Sequence, residues 1–243
     1  MLAQVATEVA SQPGEMFSEL APPLQVAVLL GALSFATAML VSMTAFTRII
    51  IVLSFVRRAL STQEIPPNQV MMGLSLFLTL FVMAPTLENI HEKAVKPLLE
   101  AQKKAKETID EEGNPAEPEF RFVDAWEVAS SELKTFMLGN TRTNDLALFF
   151  ELADVPPPSE RIETPLKIVI PAFIISELKT AFIMGFCIYI PFLLIDLVVS
   201  TILMALGMMM MPPVVVSTPC KLLLFVLVDG WQLISRALVA SFV

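Results

Sequence analysis

Twenty-three consecutive residues without a charge, Leu24 to Phe46, constrain this chain more than any other feature. At 1.5 Å of rise per residue, a helix of that length covers about 35 Å, enough to cross a bilayer core of about 30 Å. In lipid, backbone N–H and C=O groups find partners only inside helices or closed barrels. The long apolar runs lack the alternation of an outer-membrane strand and the chain holds only 8 Gly, so helices remain. Leu166 to Val243 is almost wholly apolar as well, and the chain is 55% hydrophobic but only 16% charged. Soluble domains carry about 25% charged residues. A membrane or an oligomer interface must hide the excess.

The net charge of −8 lies in one place. Between Glu88 and Glu163 stand 17 Asp/Glu against 9 Lys/Arg, while the rest of the chain balances. An acidic surface of this kind excludes nucleic acid as a partner, which would need a clustered basic face. Met1 to Leu20 has no basic n-region and carries Glu8, Glu15 and Glu19, so it is not read as a signal peptide.

The expected fold is all-α, with two long helical hairpins flanking a small acidic helical domain. Residues 1–23 form a leader ended by Pro22-Pro23, and residues 24–87 form the first hairpin. One helix over 24–60 would be about 55 Å long, too long for an upright span, so Arg48 is either a buried interface residue or the end of a shorter span. Pro66-Pro67 marks the turn, and the second apolar run, Val70 to Ala84, is closed by Pro85. Residues 88–165 form the acidic domain, with helices over 91–106, 122–138 and 143–152. In the last of these, Leu146, Phe149, Phe150 and Ala153 share a face, with Asp145 off it. Asp110 to Pro118 is a loop that lacks the alternating ligands of a calcium site. Residues 166–243 form the second hairpin, punctuated by Pro171, Pro191 and Pro219 and bent at Gly207-Met208-Met209-Met210-Met211-Pro212-Pro213. If all four runs cross, the Arg57-Arg58 end lies inside and the acidic domain outside.

Charges within the apolar runs are the first candidates for function: Arg48, Glu177, Lys179, Asp196, Lys221 and Asp229. A charge at mid-bilayer costs at least ~2.5–3.5 kcal/mol. Glu177 and Lys179 stand about 200° apart on a helix and cannot pair with each other. Snorkelling, an ion pair to another helix or subunit, and a proton relay all stay open, with Lys221 and Asp229 offering opposite charges in the other arm. Met208 to Met211 are the second candidates. Inside a helix they would be ordinary core, but between Gly207 and Pro212-Pro213 they occupy a turn. A turn of unbranched, polarizable side chains suits a deformable seal. Cys187 and Cys220 read as buried small hydrophobes, and His91 has no partner for a metal site. Nothing resembles a nucleophile with its base or a phosphate-binding loop, so no catalytic residue, metal or cofactor is expected.

Five separated stretches resemble the FliP/SctR family, the flagellar branch more than the injectisome one. They are Phe46-Thr47-Arg48-Ile49-Ile50-Ile51-Val52, Pro66-Pro67-Asn68-Gln69-Val70, Ser176-Glu177-Leu178-Lys179-Thr180-Ala181-Phe182, Leu203 to Met210 with Pro212-Pro213, and Leu224 to Trp231. Thr141-Arg142 and Asp145 to Phe149 extend the likeness. The resemblance implies a pore-forming core subunit of the flagellar type III export gate in the bacterial inner membrane, part of the basal body, with its central domain periplasmic. It also implies a homopentamer within a helical assembly, with FliQ and FliR homologues, near FlhB and FlhA homologues, passing unfolded export substrates. The family's methionine gasket maps onto Met208, Met209 and Met210, and Met211 stands where relatives often carry valine. Residues 100 to 118 are longer and more acidic than in familiar members. In that assembly the hairpins rise largely out of the bilayer, held by neighbours, which would explain the tolerated charges. The rival readings are an ion-coupled small-solute transporter using Glu177 and Asp196, and a membrane assembly factor without a pore.

Overall fold

A computed structural model describes residues 21–62, 65–107, 120–208 and 211–242. Most of the leader, the acidic loop Asp110 to Pro118, and Met209 and Met210 of the gasket lie outside the described residues. Among the described residues every regular element is helical. The chain forms two compact units, residues 1–41 and 42–243.

The first unit holds most of α1 (Pro22–Met43). Pro22 and Pro23 open this helix where an N–H would have no partner in any case. The N–H groups of Leu24 and Gln25 donate to the carbonyl of Ala21, at 2.8 and 3.1 Å. Its 22 residues are apolar on every side and long enough to cross a membrane. The long run 24–60 is broken at Thr44-Ala45, and α2 (Phe46–Ala59) follows. Thr44 Oγ1 accepts from the N–H of Phe46 at 3.4 Å, a local bond that competes with the helical ladder.

The core of the second unit is built around α2. Arg48, Ile49, Val52, Leu53, Val56 and Ala59 are buried, a spacing that places them on one broad helical face. That face packs against α3 (Asn68–Ile90) and, most extensively, against α7 (Leu166–Ala205). Ile49, Val52, Leu53 and Val56 each contribute about 1.5–3 kcal/mol by leaving water. On α3 the inward stripe is Met71, Ser75, Thr79 and Met83. Both of its hydroxyls donate back to the carbonyl four residues earlier, at 2.7 Å, so the stripe is internally satisfied. Gly185 lets α7 approach α2 closely. A Cβ there would stand 2.5 Å from the Phe55 ring and 3.0 Å from Phe55 Cβ, which cannot swing away. Gly185→Ala is expected to cost about 1–3 kcal/mol by overpacking, read as a lower unfolding midpoint of the purified protein.

The prolines correct the expected boundaries. α3 does not stop at Pro85; it continues to Ile90, through a single π turn (His91–Val95), into α4 (Lys96–Glu107). α7 likewise runs unbroken for 40 residues through Pro171 and Pro191. A proline removes one ladder bond, at about 3 kcal/mol, and packing along a long apolar helix offsets that. The returning arm is α8 (Pro213–Leu227) and α9 (Gly230–Ala240), bent by 65° between them. Asp229 makes the corner with a left-handed φ of 52°, a conformation that Asp tolerates better than most residues. Gly230 follows because a Cβ would stand 2.3 Å from the Phe225 ring.

The acidic domain holds α5 (Phe122–Asn140) and α6 (Thr143–Leu152), followed by a 3₁₀ turn (Arg161–Glu163). Asp124 caps α5 by accepting the N–H of Arg121 at 2.8 Å. Lys93 reaches Glu132 at 2.6 Å and ties the π turn to α5. Two expectations fail for α6. Asp145, placed off the apolar face, is buried, while Ala153, placed on it, is exposed, because α6 lies against α7 on the Asp145 side of Leu146.

Candidate functional site: paired charges and the methionine bend

Arg48 stands in the first turn of α2, on the same stripe as the core residues. Its Nε donates to Glu177 Oε2 at 2.8 Å, and Nη2 donates to Glu177 Oε1, a bidentate pair. The side chains are 3% and 0% exposed, so water does not screen them. Nη1 donates to the carbonyl and hydroxyl oxygens of Ser241, at 2.7 and 2.9 Å. The Phe242 ring lies 3.7 Å from Arg48 Cζ, a cation–π contact, and stacks on Phe136 of α5. One guanidinium thus joins α2, the middle of α7 and the residues after α9. Beside it, Ser176 Oγ accepts the N–H of Arg142 at 2.8 Å, which fixes the start of α6 on α7. The partner of Glu177 is therefore Arg48 rather than Lys221.

Lys221 of α8 has its own partners. Its Nζ donates to Asp196 Oδ2 of α7 at 2.6 Å and to Ser61 Oγ at 2.7 Å, just beyond α2. Ser217, one turn before Lys221, donates to Asp196 Oδ1 at 2.6 Å. Lys221 is 2% exposed and Asp196 36%, so the second pair is half open to its surroundings. Asp196→Ala is expected to lower the unfolding midpoint less than loss of Glu177 does, since Ser61 still holds Lys221 and the Asp196 side of the pair is only partly enclosed.

Lys179 and Asp229 are exposed and have no ion-pair partner among the described residues. Cys187 and Cys220 are exposed rather than buried. Their faces of α7 and α8 belong to an apolar surface that the other described residues leave exposed, including Phe182, Phe186, Leu193, Leu197 and Leu223. Such contiguous exposure marks a surface meant for lipid or for other chains.

The bend between α7 and α8 follows from its residues. The N–H of Gly207 bonds Met204 O and that of Met208 bonds Leu203 O, both at 3.0 Å, and Gly207 has φ +75°. This is the paired-bond helix terminus in which glycine takes the left-handed position. Met211 N–H bonds Met208 O at 3.3 Å, and Pro212 and Pro213 restart a helix. Met208 and Met211 are 41% and 40% exposed. Ser61, Ser241 and Phe242 were missed as site residues, and nothing in their local sequence signals the role. Ser217 was within reach, being four residues before Lys221 and so on the same face.

One buried and one half-open charge pair bind long apolar helices to one another, and helices of this length and apolarity define a helical bundle of the membrane class. Residues 29–238 match the FliP family. The flagellar biosynthetic protein FliP of Bacillus subtilis strain 168 is 49% identical over 219 residues, 90% of this chain and 91% of the relative. The proteins of the same name from Pectobacterium carotovorum and Aquifex aeolicus are 48% and 42% identical, again over 90% of this chain and over 78% and 85% of their own lengths. The chain belongs to the FliP family.

Proposed function

We propose that this chain is a pore-forming, non-enzymatic core subunit of the flagellar protein export gate in the bacterial inner membrane. The observation that carries the reading is the bend. A glycine stop and a Pro-Pro restart hold methionine side chains out of any helix, with Met208 and Met211 facing away from the chain's own core. The side chain is flexible and apolar, so several copies facing one axis would exclude water and still yield to a passing chain. Met209 and Met210 would complete the ring. The uncovered apolar faces of α3, α7 and α8 suit packing in a homopentamer with FliQ and FliR homologues, near FlhB and FlhA homologues, and unfolded export substrates would thread the centre. The acidic domain would lie on the periplasmic side.

In this reading the two ion pairs hold each subunit's helices together, and Lys179 and Asp229 are exposed charges that neighbours can meet. An ion-coupled transporter would need Glu177 and Asp196 as proton sites, yet each is matched to its own base. The test is ion conductance across membranes containing the intact particle, with and without alanine at the methionines. A rise in leak with assembly intact supports the gate, and unchanged conductance removes it.

A further inference from the structure

A cleft of about 660 Å³ lies between α3 and α9, within the range that small amphiphiles occupy. Leu78, Phe81 and Val239 form its apolar wall, and Gln232, Ser235 and Arg236 supply its polar groups. Gln232, Ser235, Arg236 and Val239 follow the i, i+3, i+4, i+7 spacing that aligns side chains on one helical face. The cleft is therefore one continuous strip, polar along α9 and apolar against α3. The α3 wall belongs to a segment long and apolar enough to cross a membrane, and α9 reaches that length only together with α8, across their 65° bend. A cation there is costly unless it meets a negative group.

Arg48 and Lys221 have found such groups inside the chain. Arg236 is exposed and has no ion-pair partner among the described residues, and none of the residues lining the cleft is acidic. Its planar guanidinium presents donors in a fork that matches phosphate oxygens, and the neighbouring amide and hydroxyl add donors at the same level. A ligand for this strip needs an anionic head and an apolar tail at once. We infer that the cleft binds an anionic phospholipid, with the phosphate on Arg236, Gln232 and Ser235 and an acyl chain along Leu78, Phe81 and Val239. Basic positions between membrane helices recognise anionic headgroups in this manner. The inference requires only that this cleft meets lipid, in the bilayer or carried with the particle, and does not depend on a gate.

Native mass spectrometry of the full-length protein in mild detergent tests it, with dioleoylphosphatidylglycerol and dioleoylphosphatidylcholine as probes. The wild type should retain the anionic phosphatidylglycerol about fivefold better than the zwitterionic phosphatidylcholine, the factor that one basic side chain provides near anionic lipid. Arg236→Gln should erase that preference, and Arg236→Lys should keep part of it. Val239→Trp fills the cleft while keeping the charge and should lower retention of both lipids. Lys167→Gln removes an exposed cation at the start of α7, away from the cleft, and should change nothing. Equal retention of the two lipids by the wild type would overturn the inference, as would an unchanged preference in Arg236→Gln. So would a particle that retains neither lipid and falls apart in Arg236→Gln, because the cleft would then belong to a protein neighbour.

Discussion

Glu177→Ala is expected to lower stability by about 3–5 kcal/mol, the largest loss of any single substitution in the apolar segments. The value follows from what stays behind. Arg48 would remain buried, held only by Ser241 and the Phe242 ring, with its charge uncompensated. Most of the penalty is desolvation of that orphaned cation rather than loss of an attraction. Two further variants separate these effects. Arg48→Met combined with Glu177→Leu removes both charges, fills similar volume, and should recover most of the loss. Exchanging the pair, Arg48→Glu with Glu177→Arg, should recover part of it, whereas Glu177→Lys with Lys221→Glu should recover nothing, because Lys221 belongs to Asp196. Thermal unfolding of each purified variant reads the series. A mild loss for Glu177→Ala would show that the pair is not carrying the α2–α7 contact.

Alanine at all four methionines, Met208 to Met211, is expected to raise small-ion leak by tenfold or more while assembly and stability hold. Met208 and Met211 lie outside the chain's core, so truncation leaves no cavity in the subunit. Under the proposed gate, what it removes is the material that would close the axis. Each loss of about 1.4 kcal/mol from a closed state raises the open population tenfold, and the truncation is repeated in every copy around the pore. The backbone of the bend is set by Gly207 and Pro212-Pro213, which the substitutions leave in place. Leucine at the same positions should restore most of the seal, since hydrophobic volume rather than sulfur excludes water. Planar-bilayer conductance of the reconstituted particle distinguishes the three forms.

The helical class, the hairpin turns and the methionine bend were legible because their signals are local. A charge-free run, a glycine followed by prolines, and a switch to acidic composition each act within a few residues. The interior prolines were misread for the same reason. Pro85, Pro171 and Pro191 carry a local cost that the packing of long helices outweighs, and packing is not visible in a window of sequence. The partner of Glu177 lay 129 residues away on α2, so no spacing rule could choose Arg48 over Lys221. A helical wheel centred on the apolar residues puts Asp145 outside, whereas the face that α6 buries is turned toward Asp145, Leu146 and Phe150 and away from Ala153. The cysteines were placed inside because apolar runs are usually buried by their own chain. Here the outer faces of α7 and α8 are left uncovered, and the charges that seemed free to join subunits split into two sets. Arg48, Glu177, Asp196 and Lys221 are matched within the subunit, and Lys179 and Asp229 remain exposed.

The uncovered apolar faces and the exposed bend have one meaning in an oligomer and another in a solitary transporter. The mass of the particle extracted in mild detergent decides between them. A homopentamer carrying additional small subunits is the predicted result, with the uncovered helices accounted for by neighbours. A monomer or dimer without other subunits, stable and active in pH-dependent uptake, would contradict it.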